Sequence, residues 1–394
     1  MSELYYNNKH CRIYQGNSRD VLREQIESKS IDMAMCSPPY WGLRFYQTEP
    51  EIWDGDDPNC NHEFRARVFL LHAGRGDAQK SAKYSEQKEA IPDQEITDAT
   101  CVKCGAWKGE LGLEPTIGMF IEHLIQIFDA VRPALKDEGT LWINFGETYS
   151  SSGGNNNNCS YSRKGSGGTG LMGDNVYARL KKRAGFNTRR LDTSGIPGKS
   201  LCMIPERLAI AMIDRGGWIL RNKIIWHKPN VMPQSIKDRF TVDWEYLFFF
   251  SKQREYYFDT QYEPYQSTTP KPGAHKFGGE KAAGYGNRKY SGNSWDPNDV
   301  ASAEGRIKRS MWTIPTEPYG DEHYAAYPTE LCKTPILAGC PPNGTVLDPF
   351  CGTGATGEAA LQHARNFVGI DVSAKFCELA RQRLDKYIGQ ERLF

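Results

Sequence analysis

Hydrophobic positions near the two ends of the chain form short runs of the kind found in the core of an α/β protein. Residues 31–36 are almost continuously apolar, which predicts a buried strand, and the two prolines that follow at 38 and 39 prevent this strand from continuing. Towards the other end, strands are predicted at 345–347 and 366–370, and helices at 352–364 and 373–387. The pattern predicts a strand–helix–strand–helix unit and, far upstream, a strand that ends in a rigid loop.

The middle of the chain alternates between regular and irregular stretches. Apolar residues recur at helical spacing over 116–135, and Gly139 leads into a predicted strand at 140–145. Further elements are predicted as a helix at 204–213 and strands at 218–226 and 244–250. Residues 150–170, rich in Ser, Gly and Asn, indicate a mobile loop, and residues 252–312 lack a steady period, which suits an irregular recognition segment.

Composition narrows the possible locations and partners. The 394 residues are 39% hydrophobic and 25% charged, as in an ordinary globular protein, and the formal net charge is only +1. Contacts with phosphates would therefore come from local basic clusters. We find neither an apolar run of about eighteen residues nor a signal-peptide pattern, so we expect a cytoplasmic protein without membrane contact. The eleven cysteines are then expected to be free thiols, with a metal site among them.

A glycine-rich segment at 348–357 lies between a predicted strand and a predicted helix. Its glycines let the backbone turn tightly and approach a ligand, and Asp371, at the end of the next strand, could accept both hydroxyls of a ribose. A dinucleotide site or a purely structural turn would also suit Gly-x-Gly-x-x-Gly. Asp348 favours S-adenosylmethionine, because a carboxylate repels a pyrophosphate but attracts the ammonium group of a methionine moiety.

The sequence Ser37-Pro38-Pro39-Tyr40 has the properties that amine methylation requires. An exocyclic base amine is a poor nucleophile because its lone pair is delocalised into the ring. The Ser37 oxygen and the Pro38 carbonyl could accept its two hydrogens and localise that lone pair, while Tyr40 stacks on the extruded base and the prolines keep the loop rigid. Alone, this sequence could be a simple turn. Together with the glycine-rich segment, it favours methyl transfer.

The combination of the two motifs resembles the β-type amino-methyltransferases of DNA, which act on cytosine N4 or adenine N6. Ser37-Pro38-Pro39-Tyr40 comes first, a variable region follows, and Asp348-Pro349-Phe350-Cys351-Gly352-Thr353-Gly354 comes last. The resemblance covers most of the chain outside two insertions. It implies an α/β, Rossmann-like, S-adenosylmethionine-dependent core in circularly permuted motif order that acts on double-stranded DNA. A cognate restriction nuclease is a candidate partner, and the oligomeric state is left open.

The same resemblance implies the cofactor contacts. Within the loop that contains Pro349, the methionine end would be lined by Asp348, Phe350, Gly352 and Gly354, and Asp371 would hold the ribose. Asn17 lies where the family has Asp near the cofactor adenine, and an Asn can still form hydrogen bonds there. Tyr327-Pro328-Thr329-Glu330-Leu331 is implied to begin the helix that flanks the cofactor.

The target base is indicated by one residue, Ser37. In the resembling family, Ser before Pro-Pro-Tyr is typical of cytosine-N4 enzymes and Asp of adenine-N6 enzymes, so we expect cytosine N4, with adenine N6 as the alternative. Methylation at cytosine C5 is excluded, because it needs a Cys nucleophile that usually follows Pro, and the chain has no Pro-Cys pair. The sequence leaves open a non-catalytic DNA-binding protein with a methyltransferase shell, or an enzyme acting on RNA or protein amides.

Two pairs of soft ligands bracket a polar stretch after the reaction loop. Cys60, His62, Cys101 and Cys104 could hold a structural Zn²⁺ tetrahedrally and fix a loop with too few apolar residues to fold alone. The Cys-x-His spacing is tighter than usual, so His72 is an alternative ligand, and free thiols beside a solvated His are the other reading. Catalytic zinc is not expected, because methyl transfer from a sulfonium needs no Lewis acid.

Two basic clusters are candidates for DNA contact, although charge runs are often only solvated surface. The first comprises Arg179, Lys181, Lys182, Arg183, Arg189 and Arg190. The second is interleaved with Tyr285, Tyr290 and Trp295 and comprises Lys271, Lys276, Lys281, Arg288, Lys289, Arg306, Lys308 and Arg309. We therefore expect five segments: a reaction-loop half of the core (1–49), a zinc-binding insertion (50–112), core with a basic loop (113–251), a target-recognition segment (252–312) and a cofactor-binding half (313–394).

Overall fold

A computed structural model describes residues 2–42, 46, 48–55, 57, 59–71, 94–150, 195–234, 237–264, 305–317 and 327–388. The strands are β1 (Glu3–Asn7), β2 (Cys11–Gln15), β3 (Ile31–Cys36), β4 (Glu51–Trp53), β5 (Phe64–Leu71), β6 (Gln94–Cys101), β7 (Trp107–Gly109), β8 (Leu135–Phe145), β9 (Ile219–His227), β10 (Trp244–Ser251), β11 (Tyr262–Glu263), β12 (Arg306–Ile307), β13 (Met311–Thr313), β14 (Thr345–Asp348) and β15 (Asn366–Asp371). The helices are α1 (Ser18–Glu24), α2 (Ile117–Ala134), α3 (Ile204–Asp214), α4 (Thr329–Gly339), α5 (Ala355–Gln362) and α6 (Ala374–Ile388).

Within these residues a nine-stranded sheet forms the core, in the order β1-β2-β15-β14-β3-β8-β10-β9-β13. The strands from β2 to β8 in this order are parallel, whereas β1 and β10 pair antiparallel with their neighbours. One face of the sheet packs against α1, α2 and α3, and the other against α4, α5 and α6. Helices on both faces explain why the central strand β3 is buried at every residue.

The centre of the sheet comes from both ends of the chain. β14 pairs with β3, with Leu347 opposite Ala34, and β15 pairs with β2, with Gly369 opposite Ile13. The N-terminal and C-terminal halves therefore form one Rossmann-like layer. This confirms the predicted α/β core in permuted order.

Most predicted core elements are observed within a few residues of their expected bounds, with two informative differences. The helix expected at 352–364 begins only at Ala355, because Gly352 and Gly354, with φ of +48° and +83°, keep the preceding residues in a turn. The strand expected at 140–145 is longer, and β8 begins at Leu135 directly after α2. The short elements β1, β2 and α1 were not predicted, because five to seven residues carry little periodic signal.

The insertion differs from the expected loop. It contains a four-stranded antiparallel sheet in the order β4-β7-β6-β5, in which β5 and β6 pair from Phe64↔Cys101 to Leu71↔Gln94. β5 begins with an alternation of apolar and charged residues, Phe-Arg-Ala-Arg-Val, a strand signal that the sequence analysis did not use. The stretch expected to be a loop fixed by a metal therefore contains regular strands.

The recognition segment is partly ordered as well. β11 and β12 form a two-stranded ribbon, and β13 joins the edge of the main sheet beside β9, with Trp312 buried. The end of the stretch predicted to be irregular is thus part of the core. Residues 265–304, and residues 151–194 with the first basic cluster, lie outside the described residues. The helices of the described part are all too short or too polar to cross a membrane.

Candidate active site

The two predicted motifs meet at one edge of the sheet. β3 and β14 are parallel neighbours, so the loops that follow them, beginning at Ser37 and Pro349, leave the same edge. An open cavity lies there, and about 1150 Å³ of empty space, open solvent included, separates its walls. Ligands of open α/β sheets bind beyond the carboxyl ends of the strands, which is where this cavity lies. Its lining includes Asn17, Ser18, Ser37, Pro39, Glu51, Trp53, Glu110, Tyr327, Asp348, Pro349, Phe350, Gly352, Asp371 and Phe376.

Asp348 is a buried carboxylate at the floor of this cavity. Its Oδ1 accepts a hydrogen bond from the Phe350 amide at 2.9 Å, and its Oδ2 accepts bonds from the hydroxyls of Tyr327 at 3.1 Å and Thr356 at 2.5 Å. Burial raises the pKa of Asp348 to about 7, and these hydrogen bonds oppose the rise. A cationic group in the cavity would stabilise the ionised form, as expected for a site that accepts an ammonium.

Asp371 is held by the turn that the glycines make possible. Its two carboxylate oxygens accept hydrogen bonds from the amides of Gly352 and Ser373, each at 2.9 Å, and burial raises its pKa to about 6. Gly352 lines the cavity. Gly354, also expected at the cofactor, instead packs on α6, where an added Cβ would lie 3.2 Å from the Ala380 Cβ. In this structure Gly354 turns the loop and packs against α6 on the side away from the cavity.

Asn17 lines the cavity and caps α1. Its side-chain oxygen accepts a hydrogen bond from the Arg19 amide at 2.8 Å, and its side-chain nitrogen donates to Glu51. Burial raises the pKa of Glu51 to about 7, because the carboxylate faces the cavity with little solvent. The departure from Asp at position 17 therefore coincides with a nearby carboxylate supplied by the insertion.

The reaction loop presents only part of its motif to the cavity. Ser37 and Pro39 line it, whereas Pro38 is buried beneath the loop and Tyr40 is half-buried with its ring edge-on to Phe145 at 5.4 Å. The Ser37 hydroxyl contacts that of Tyr40. The four residues are thus brought together, with the serine facing the cofactor loop.

Polar residues that sequence reasoning missed hold Tyr40. Its hydroxyl donates to Glu245 Oε2 at 2.9 Å, and the same carboxylate accepts bonds from Asn144 at 3.1 Å and from Lys228. A Cβ on Gly146 would lie 2.6 Å from the Tyr40 ring, so only glycine leaves room behind it. These residues come from β8, β10 and the loops after β8 and β9. Sequence reasoning missed them because none of them belongs to a local sequence motif.

Tyr327 was expected only as the start of the helix that flanks the cofactor, and its contact with Asp348 was not predicted. Pro328 is the N-cap of α4, which begins at Thr329 as the resemblance implied. The preceding Tyr327 is buried at the cavity and bonds to Asp348.

Comparison with known proteins places this geometry in a family. The family described as DNA methylase (N6_N4_Mtase) matches residues 31–382. The chain belongs to this family. The methylase is 28% identical over 381 residues to the Type II methyltransferase M.SmaI of Serratia marcescens, with 97% of this chain and 93% of that protein aligned. It is also 28% identical over 374 residues to the Type II methyltransferase M.Cfr9I of Citrobacter freundii, with 94% of this chain and 87% of that protein aligned.

A solved structure shares the fold of the methylase. The PvuII DNA methyltransferase (cytosine-N4-specific) superposes with a TM-score of 0.51 at 15% identity, covering 100% of this chain and 90% of that one. At this identity the likeness concerns the architecture of the core.

The four predicted metal ligands of the methylase lie together in the insertion. The ligand atoms of Cys60, His62, Cys101 and Cys104 are all within 4.8 Å of one another. The Sγ atoms of Cys60 and Cys101 are 3.8 Å apart, and Cys104 Sγ is 3.3 Å from His62 Nδ1. Zn–S bonds of about 2.3 Å in a tetrahedron give an S–S edge of about 3.8 Å. The donor set therefore fits Zn²⁺. His72, the alternative ligand, lies outside the described residues.

The described part of the second basic cluster is partly neutralised. Arg306 and Arg309 both donate to the Glu263 carboxylate at 2.8 Å, and the Lys308 ammonium lies over the Trp312 ring at 5.5 Å. The remaining predicted DNA contacts fall outside the described residues.

Proposed function

We propose that this DNA methylase transfers a methyl group from S-adenosylmethionine to the exocyclic N4 of cytosine in double-stranded DNA. The observation that carries the proposal is the placement of Ser37 and Asp348 at the carboxyl ends of adjacent parallel strands, on one cavity. An amine acceptor and a cationic methyl donor can then meet without a covalent enzyme intermediate. Because relatives are named Type II methyltransferases, we infer that it serves a restriction–modification system and that its partner is a nuclease of the same specificity.

The residues of the cofactor loop would hold the donor, whose sulfonium supplies the methyl group. Asp348 attracts the ammonium of the methionine moiety, and Phe350 covers it from the loop. Asp371 retains free lone pairs on both carboxylate oxygens and accepts ribose hydroxyls. Asn17 bonds at the adenine end, beside Glu51.

The reaction loop acts on the base, which is extruded from the duplex. The Ser37 hydroxyl and the Pro38 carbonyl accept the hydrogens of the amine, and Tyr40 stacks on the ring. Glu245 fixes the Tyr40 hydroxyl, so the aromatic ring is positioned before the base arrives. Ser37→Ala and Tyr40→Ala should each lower methyl transfer about a hundredfold or more while the affinity for S-adenosylhomocysteine stays nearly unchanged. Ser28→Ala, on the exposed surface, is the matched control.

Ser37 favours cytosine, and adenine N6 is the alternative. Mass spectrometry of nucleosides from the DNA of cells expressing the chain distinguishes the two: we expect N4-methylcytosine, and N6-methyladenine would refute the base assignment while keeping the chemistry. A purely DNA-binding role would give neither product. Tritium transfer from labelled S-adenosylmethionine to DNA, RNA and protein acceptors tests the substrate class, and we expect label in DNA alone.

A further inference from the structure

We propose that a Zn²⁺ ion bound by Cys60, His62, Cys101 and Cys104 controls cofactor affinity, because it holds the insertion sheet that forms one wall of the cofactor cavity. The inference rests on the proposed S-adenosylmethionine site and adds a dependence of that site on the metal. It assigns a role to an insertion that contributes no predicted reaction-loop or cofactor residue.

The insertion contributes a wall that the core does not supply. Glu51 and Trp53 of β4, and Glu110 and Leu111 after β7, line the cavity opposite the loop that follows β14. Trp53 is only 1% exposed, and the Glu110 carboxylate accepts bonds from the amides of Tyr46 at 2.6 Å and Thr48 at 3.1 Å. The wall therefore also fixes the backbone of residues 46 and 48 beside the cavity.

The wall is directly connected to the metal ligands. Trp53 pairs with Trp107 across β4 and β7, and Trp107 is three residues from Cys104. Gly55, two residues past Trp53, packs on the ligand turn, because an added Cβ would lie 3.3 Å from Cys104 Sγ and 3.1 Å from the Ala106 Cβ. A shift of this turn would thus move β4 and β7 together.

Among the described residues, the apolar packing at this end of the insertion is small. The buried cluster there consists of Cys101, Cys104 and Ala106, with Cys60 and Phe64 packed against it. Such a small cluster buries too little apolar surface to order the turn, and a metal supplies the missing stabilisation.

The wall is also clamped to the core by contacts that do not involve the metal ligands. The buried His123 of α2 contacts Glu114 at 3.0 Å and Asp54 at 2.8 Å, and its ring stacks on Trp53 and Trp107. Because this clamp remains when the metal leaves, we expect loss of the metal to weaken the cofactor site rather than abolish the fold.

The test measures binding rather than activity. The full-length chain is analysed for bound zinc, and its affinity for S-adenosylhomocysteine is measured by calorimetry as purified, after chelation, and after return of Zn²⁺. We expect one zinc per chain and a dissociation constant about tenfold weaker after chelation, restored by Zn²⁺. By reciprocity, saturating S-adenosylhomocysteine should tighten zinc binding by the same factor.

Matched variants separate the metal from general damage. His62→Ala should reproduce chelation, whereas His62→Cys keeps four ligands and should retain zinc and affinity. Val102→Ala, at an exposed position between the ligands, should behave as the unmodified chain. Far-ultraviolet circular dichroism should show the main sheet intact throughout.

Three results would overturn the inference: no bound metal, equal affinity with and without it, or unfolding of the whole chain on chelation. Failure of the untreated chain to bind S-adenosylhomocysteine at all would instead count against the proposed function, and the inference would fall with it.

Discussion

Single residues at this site depend on polar neighbours contributed by distant parts of the chain. Glu245 receives hydrogen bonds from Tyr40, Asn144 and Lys228, and Asp348 receives them from Tyr327 and Thr356. A buried carboxylate with several donors is fixed in one orientation and can fix its partners in turn. Tyr40 and Asp348 are therefore positioned by polar partners from other elements of the fold.

Glu245→Gln tests this positioning of Tyr40. The amide cannot accept from Tyr40, Asn144 and Lys228 with the same strength, so the ring loses its fixed orientation. We expect kcat to fall about tenfold, with little change in affinity for S-adenosylhomocysteine. The control is Glu255→Gln at an exposed position. In the double variant Glu245→Gln with Tyr40→Phe, steady-state kinetics should show that the losses of kcat from the two substitutions are strongly non-additive. Simple additivity would contradict the network.

Asp348 gives cofactor binding a defined pH dependence. Burial raises its pKa to about 7, and only the ionised carboxylate attracts an ammonium. Affinity for S-adenosylmethionine should therefore fall by up to about tenfold per pH unit below 7. Glu51 and Asp371 titrate nearby, so the measurement is the difference in slope between the unmodified chain and Asp348→Asn, by calorimetry. Equal slopes would exclude Asp348 as the titrating contact.

Asp348 also makes the stability of the cofactor-free chain depend on pH. Cofactor affinity rises with pH, whereas this stability falls with pH. Its folded pKa lies above the unfolded value, so the folded state binds more protons, and stability falls as the pH rises from about 4 to 7. Asp348→Asn should flatten urea-unfolding stability across this window, whereas Asp214→Asn, at an exposed position, should not.

At the scale of elements, the site is built by turns that start helices close to strands. α5 begins only after Gly354, which turns the chain with φ +83° and lets α6 approach. The strand–turn–helix order here was predictable from glycine spacing and apolar runs. The insertion sheet was not predicted, because the polar stretch between its metal ligands was interpreted as a loop although β5 begins with Phe-Arg-Ala-Arg-Val. The bonds of Glu245 arise only when β10 pairs with its neighbours β8 and β9.

Gly354→Ala tests how much the close approach of α6 contributes. An L residue at φ +83° costs about 1 kcal/mol, and the new Cβ would press on the Ala380 Cβ at 3.2 Å. Gly195→Ala is a matched control, because Gly195 has φ +85° with nothing within 4 Å of an added Cβ. We expect urea unfolding to show a loss of about 2–3 kcal/mol for Gly354→Ala and about 1 kcal/mol for Gly195→Ala. Equal losses would mean that packing against α6 is unimportant.

At the scale of the whole molecule, the order of elements along the chain and their order in the sheet are different. The two sequence motifs lie over 300 residues apart, yet β3 and β14 are hydrogen-bonded neighbours. The order of the two motifs indicated this pairing through the family resemblance. Local propensity could not indicate it, because the register between distant strands is set only by tertiary packing. The N-terminal strands further contact the last helix, through Tyr5 to Glu378 at 3.1 Å and Tyr6 to Asp385 at 2.9 Å.

This topology predicts that neither half of the chain is a complete cofactor site. β15 pairs with β2, and β14 with β3, so residues 305–394 alone would expose two strand edges and the apolar face of α6. Co-expressed fragments 1–264 and 305–394 should therefore co-purify, because the paired edges and both faces of the sheet are supplied in trans. The complex should bind S-adenosylhomocysteine within about tenfold of the intact chain, and each fragment alone should show none. Binding by the C-terminal fragment alone would mean that the loop after β14 suffices, and that the contacts from Asn17, Ser37 and the insertion add nothing to affinity.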